Sequence, residues 1–265
     1  MGCSISALWD SSNGQWWDEA LDRYWLCVSQ DNEQLEHWME DALDPGWVRG
    51  LGAKEWYDFL HDRYFVWKYT DHRWLQRNWG YLEAQAAGNA GLVRLLAIRG
   101  RIFQAHGAVE IAIGNLSRLG EQAPRAGAYR AAVRAALETV REIGGLGVAG
   151  ASGLLAVSFP HAYGTIDQFV ALALQEVARA HLPISSLPER AEVQRLNAVD
   201  LSISQGVVLI NIMRRQAWAL NQRLGVDTWT PRKVDKVLWA SRQSNCGGKF
   251  SAGNSSLEEF FAGTD

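Results

Sequence analysis

Two glycines bracket a single leucine at Gly145-Leu146-Gly147, and apolar residues recur at helical spacing on either side. Upstream, Tyr129, Val133, Ala136, Leu137 and Val140 share one face of a segment over 128–142, with Arg130, Arg134 and Arg141 opposite. Downstream, Ala151, Leu154 and Leu155 fall at i, i+3 and i+4. The order predicted is helix, tight turn, helix. Glycine suits such a turn because it accepts positive φ and close backbone approach. The N–H groups of 147–150 then stand unpaired at the positive end of the second helix, a geometry that binds a phosphate oxygen without any side chain. A plain αα-hairpin would use its glycines in the same way, simply to turn.

The same periodicity runs through the rest of the chain, and no stretch reads as a strand. Helices are predicted over 15–29, 32–43 and 54–69, then over 91–105 and 108–116, with a loop at 120–127. After Asp167, the spacing of Val170, Ala173, Leu174 and Val177 predicts another. Ser202-Ile203-Ser204-Gln205 reads as a capping box opening a long helix to 224, and Gly225 sits where a C-cap belongs. Thr230-Pro231 opens the last helix as N-cap and first residue. The fold class predicted is all-α.

Charge is divided unevenly. Residues 1–60 hold three basic and twelve acidic residues, a balance of −9, whereas 61–145 carry +5 and 213–249 carry +6. Two basic segments that flank the hairpin hint at an anionic partner, although ordinary solvated helix faces give the same count. Ten of the 13 tryptophans precede residue 80. On composition, residues 1–85 form an acidic, Trp-rich helical region, 86–245 a second domain, and 246–265 a loose tail rich in Gly, Ser and Asn. No run reaches the roughly 18 apolar residues of a membrane span, so no membrane partner is expected. Three cysteines, odd in number and far apart, suggest a reducing compartment and a cytoplasmic location, without zinc. The histidines show no metal-ligand spacing.

Helix, Gly-Leu-Gly hairpin, helix, Phe159-Pro160, then Asp167 opening a further helix is a specific order of parts. It resembles the helix-hairpin-helix core of the DNA glycosylase superfamily, over about 90–242 and most closely between 140 and 180. The resemblance implies a glycosylase-like helical fold and double-stranded DNA as partner. It makes Gly145, Leu146, Gly147, Val148, Ala149 and Gly150 the phosphate-binding hairpin, and it implies no cofactor beyond a monovalent cation held there. Asp167 matches the family's aspartate, which assists attack on the sugar C1′. The lysine with which some members attack C1′ themselves falls at Val148, Ala149 or Gly150, where none of the three can be a nucleophile. Cysteine ligands for an iron–sulfur cluster are absent. The implied activity is that of a monofunctional DNA N-glycosylase without lyase activity. The alternative is an inactive relative that binds DNA, or a protein partner through the acidic N-terminal region.

Three further groups are candidates on their residue types. Arg130, Arg134, Arg141, Arg232 and Lys233 are candidate DNA contacts. Arg232 and Lys233 stand in a helix's first turn, where the dipole disfavours cations and an anionic partner would relieve them; plain surface charge is the other reading. In the run Tyr64-Phe65-Val66-Trp67-Lys68-Tyr69-Thr70, aromatics interleave with a cation. Tyr64, Trp67 and Tyr69 are therefore candidates for the pocket of a flipped base, against a role in aromatic core packing. Asp167 itself has a structural reading. Thr165-Ile166-Asp167-Gln168 matches a capping box with Thr165 as cap, leaving Asp167 to complement the dipole.

Overall fold

A computed structural model of the chain describes residues 4–41, 43–119, 123–180 and 189–241. All regular elements among them are helical. The loose tail expected at 246–265 lies outside the described residues.

The N-terminal third is a succession of short helices: α1 (Ile5–Trp9), α2 (Gly14–Cys27), α3 (Gln30–Asp41), α4 (Pro45–Gly50) and α5 (Ala53–Phe59). A π-helical turn, Leu60–Tyr64, joins α5 to α6 (Phe65–Lys68), and α7 (His72–Ala86) follows. The single helix expected over 54–69 is thus one rod with an extra residue in its middle turn. The widened turn re-aims the residues after it. α8 (Gly88–Leu119) is continuous where two helices were expected, because neither Gly107 nor the residues around it supply a stop. α9 (Ala123–Val140) starts five residues ahead of the segment expected over 128–142, taking in most of the expected loop.

α10 (Val148–Ser158), α11 (Gln168–Arg179), α12 (Arg190–Gln194), α13 (Ile203–Leu224) and α14 (Pro231–Ser241) complete the order. The local signals at both ends of α13 and at the start of α14 held. Ser202 Oγ accepts from Gln205 N while Gln205 Oε1 accepts from Ser202 N, and Gly225 closes α13 at φ 66°. Lys233 N donates to Thr230 Oγ1 at 3.2 Å.

One contiguous apolar cluster runs from Ile5 in α1 through Trp56, Leu95 and Leu137 to Leu238 in α14, so residues on both sides of position 85 share a core. α2 lies along α14, α5 and α7 against α8, and α10 between α9 and α13. The tryptophan enrichment is spent largely inside: Trp9, Trp17 and Trp56 are almost wholly buried. Trp17 meets Trp229 edge-on with ring centroids 5.5 Å apart, a geometry that adds to simple burial. Cys27 is disulfide-bonded, which departs from the reducing compartment that the cysteine count suggested, and Cys3 and Cys246 lie outside the described residues. No helix among the described residues is long and apolar enough to cross a membrane.

Candidate functional site

The hairpin forms as the sequence predicts and is clamped from behind. Gly145 has φ +86°, and a Cβ there would sit 2.6 Å from the Asn78 carbonyl oxygen, so only glycine fits. Gly147 differs. Its φ of −76° suits any residue and nothing lies within 4 Å of a built Cβ. It is the N-cap of α10 and is exposed, so the chain can be approached closely there from outside. Gln85 in α7 reads the turn's backbone twice, accepting from Gly144 N and donating to the Glu142 carbonyl, each at 2.6 Å.

Tyr69 Oη donates to the Gly145 carbonyl at 2.8 Å, and Tyr64 Oη donates to the Gly150 carbonyl. Burial pushes the Tyr69 phenol up to about 12 and raises Tyr64 well above its usual value, so both are hydrogen-bond donors at any ordinary pH. These two rings, candidates for a base pocket, instead brace the hairpin helix. The carbonyls of 142 and 145 accept from Gln85 and Tyr69, and that of Ile143 from Leu146 N at 3.2 Å.

In front of the hairpin lies an open groove of about 530 Å³, lined by Trp74, Arg77, Tyr81 and Gln85 of α7, by Arg141, and by the turn itself. Arg77 stands over both Trp74 and Tyr81, 5.3 and 5.9 Å from the ring centroids. Among the three candidate arginines of 128–142, Arg141 faces this groove. Arg130 is paired with Glu189 at 3.4 Å, and Arg134 donates to Ser204 Oγ at 2.9 Å.

A second cavity, about 750 Å³, opens where the N-terminal third meets α11 and α14. Asp167, Lys68, Trp67, Phe169 and Trp239 line it, with Glu36, Arg232 and Asp235 at its base. Of the three candidate pocket aromatics, Trp67 is the one in its wall.

Asp167 is itself the N-cap of α11, with φ −151°: Oδ1 accepts from Phe169 N at 2.9 Å and Val170 N at 3.0 Å. The cap expected at Thr165 therefore sits two residues later. Thr165 has another task, donating its N–H to Asp235 Oδ2 at 2.5 Å and accepting from Arg232 on its hydroxyl at 3.1 Å. Ile166 N donates to Ser152 Oγ at 2.9 Å. The two residues ahead of Asp167 are thus pinned by α14 and α10, which fixes where its carboxylate stands. Oδ2 of Asp167 has no hydrogen-bond partner among the described residues.

Arg232 does not wait for an external anion. It is buried, and its guanidinium bonds Glu36 at 2.6 Å and Asp235 at 2.7 Å while lying 5.3 Å from the Trp67 ring. The Trp67 indole N–H and Lys236 also reach Glu36, the latter at 3.0 Å, and Lys236 continues to Glu40. Burial works against the Glu36 charge, but Arg232, Lys236 and the indole overcome it and hold the carboxyl at about 2. Burial wins at Asp235, raising it to about 7 against the pull of Arg232 and the Thr165 amide. Both carboxylates hold Arg232 more firmly protonated than usual despite burial. The candidate DNA contact Arg232 is thus internal, and Lys233 is half-buried beside it.

Lys68, at the C-terminal end of α6, was not singled out from the sequence. Burial lowers its pKa, with Asp167 opposing and Arg232 reinforcing the shift. It makes no ion pair or hydrogen bond among the described residues. The space for its stem comes from Gly153, where a Cβ would approach Lys68 Cδ to 3.4 Å and Tyr64 Oη to 2.7 Å. Glu36, Asp235 and Lys236 were missed as well. The available signal was their spacing: 232, 235 and 236 put three charges on one side of a helix whose neighbours Val234, Val237 and Leu238 are apolar. Among the described residues, no group of three or more His, Cys, Asp or Glu is arranged to hold a metal. No family model, curated protein or solved structure matches the chain.

Proposed function

We propose that the chain binds double-stranded DNA with the hairpin at 145–150 and accepts an extruded base in the 750 Å³ cavity, where Asp167 assists water in cleaving the glycosidic bond. The observation that carries this reading is the position of Asp167. It is a helix cap on a cavity wall, held by two backbone amides on one oxygen only, in a lining that also includes Trp67 and Phe169. The cavity's size is that of a small-molecule site. Aromatic walls with a few polar groups suit a flat, hydrogen-bonding base. A carboxylate beside C1′ stabilises the positive charge that develops there as the base departs. Outside the cavity, the exposed N-terminus of α10 and the Arg77–Arg141 groove favour phosphate, which positions DNA without reading its sequence.

Purified protein incubated with duplexes carrying alkylated, deaminated or oxidised bases tests this, scored by abasic sites that alkali converts to breaks. At least one duplex should yield product. Binding should weaken with salt, and Arg141→Ala should reduce the salt slope by about one. Salt-sensitive binding without product from any duplex would leave a DNA-binding module, and no binding would end the reading.

A further inference from the structure

The side of α7 that lines the groove at the hairpin turn keeps aromatic surface in solvent. Trp74 and Tyr81 are 47% and 51% exposed, whereas Trp9, Trp17 and Trp56 are almost wholly buried. The two stand seven residues apart, about 10 Å along the axis, so both fall on one side of the helix. Arg77 lies between them in sequence, and its guanidinium stands over both rings. Arg141 and the turn at 144–147 line the same groove. Its lining contains these two arginines and neither aspartate nor glutamate, and neither arginine makes an ion pair among the described residues.

Simpler ligands leave part of this face unused. A lone phosphate or an acidic peptide would engage the arginines and pass over the two rings. An apolar surface would cover the rings and bury the Arg77 charge between them without a partner, which is costly. A nucleic-acid strand carries an anion and a flat π face on every residue and answers both. Bases within a duplex already stack on one another and are closed to such a platform, so the strand must be unpaired. We propose that this groove binds single-stranded DNA, with bases stacked on Trp74 and Tyr81 and phosphates on Arg77, Arg141 and the exposed start of α10. The choice of DNA rests on the reading above; the choice of an unpaired strand rests on the groove and needs neither Asp167 nor the 750 Å³ cavity. Because the groove reaches the turn itself, a single-stranded tail seated in it continues from a duplex gripped at 145–150.

Fluorescence anisotropy tests this with three labelled probes: a blunt duplex, the same duplex with thymidine tails at both ends of one strand, and oligothymidylate alone. The tailed duplex should bind about tenfold or more tighter than the blunt one. Trp74→Leu and Tyr81→Leu should each remove most of that gain, while Trp74→Phe, which keeps a ring, retains most of it. Arg77→Gln should lower the salt slope on oligothymidylate by about 0.7. Thermal melts matching wild type assign these losses to the surface, since both rings are half exposed. Equal binding of blunt and tailed duplexes, or a gain unchanged in both leucine variants, overturns the platform and leaves the duplex reading standing. Binding of the tail and of oligothymidylate with no affinity for the blunt duplex keeps the platform and overturns the duplex reading. Absence of binding to every probe overturns both.

Discussion

The two sides of the central cavity handle charge in opposite ways. At its base, Glu36, Arg232, Asp235, Lys236 and Glu40 pair with one another across α3 and α14, and every contact is internal. Along its wall, Lys68 has no pair and Asp167 keeps one oxygen free among the described residues. The first set is largely buried and is paired throughout, whereas Lys68 and Asp167 are only half-buried. A buried ion network that is fully satisfied fixes how elements dock; here it ties the acidic N-terminal region to the last helix. Charge left unpaired beside a cavity makes that wall the candidate side for a ligand.

Breaking the paired side should have the largest effect. Arg232→Met strands Glu36 and Asp235 together, and urea denaturation should show a loss of about 3–5 kcal/mol. A neutral result would mean that the network does not hold α3 to α14. The hairpin should give the next effect. Gly145→Ala forces positive φ on a residue with a Cβ against Asn78, costing about 1–3 kcal/mol in the same assay. Gly147→Ala should stay within about 0.5 kcal/mol, because its backbone is ordinary and its surroundings empty. The Ala variant at 147 should instead weaken DNA binding, which separates a docking surface from a mere turn.

Acid sharpens the contrast within the network. Glu36 is held at about 2 against an ordinary 4.5, so the unfolded chain takes up this proton first as pH falls. The stability it contributes is complete above pH 4.5 and lost towards pH 2. Asp235 acts in the opposite sense. Held near 7 against an ordinary 3.8, it favours folding below pH 3.8 and loses that contribution as pH rises towards 7. Glu36→Gln should therefore flatten the acid limb of a stability–pH curve below pH 4.5, and an unchanged slope there would contradict the pairing. Lys68→Met should have a small effect on stability, within about 1 kcal/mol, because it removes no ion pair. A large loss would move Lys68 to the architectural side.

What could be read from the sequence was what is local. The Gly145-Leu146-Gly147 turn, the box at Ser202 and Gln205, the stop at Gly225 and the start at Thr230 are each decided within four or five residues, and each formed. The cap at Asp167 was misassigned to Thr165 because both residue types cap helices. The choice between them was made by Asp235, 70 residues away, which takes the Thr165 amide. What Lys68, Glu36 and Arg232 meet was illegible for the same reason. Arg232 and Glu36 are 196 positions apart, and periodicity says which face of a helix is buried but not what it meets. The aromatic run at 64–69 divided two ways once the π turn set its direction: Tyr64 and Tyr69 went to the hairpin and Trp67 to the cavity.

Asp167→Asn offers the most direct test, because it separates cap from chemistry. Asparagine caps a helix about as well as aspartate, so the variant should melt close to wild type while losing the carboxylate that the proposed cleavage requires. Abasic-site formation on the most reactive damaged duplex should fall to background in Asp167→Asn, with DNA binding retained. A variant that releases base at the wild-type rate would contradict the account, and Asp167 would be a helix cap and nothing more.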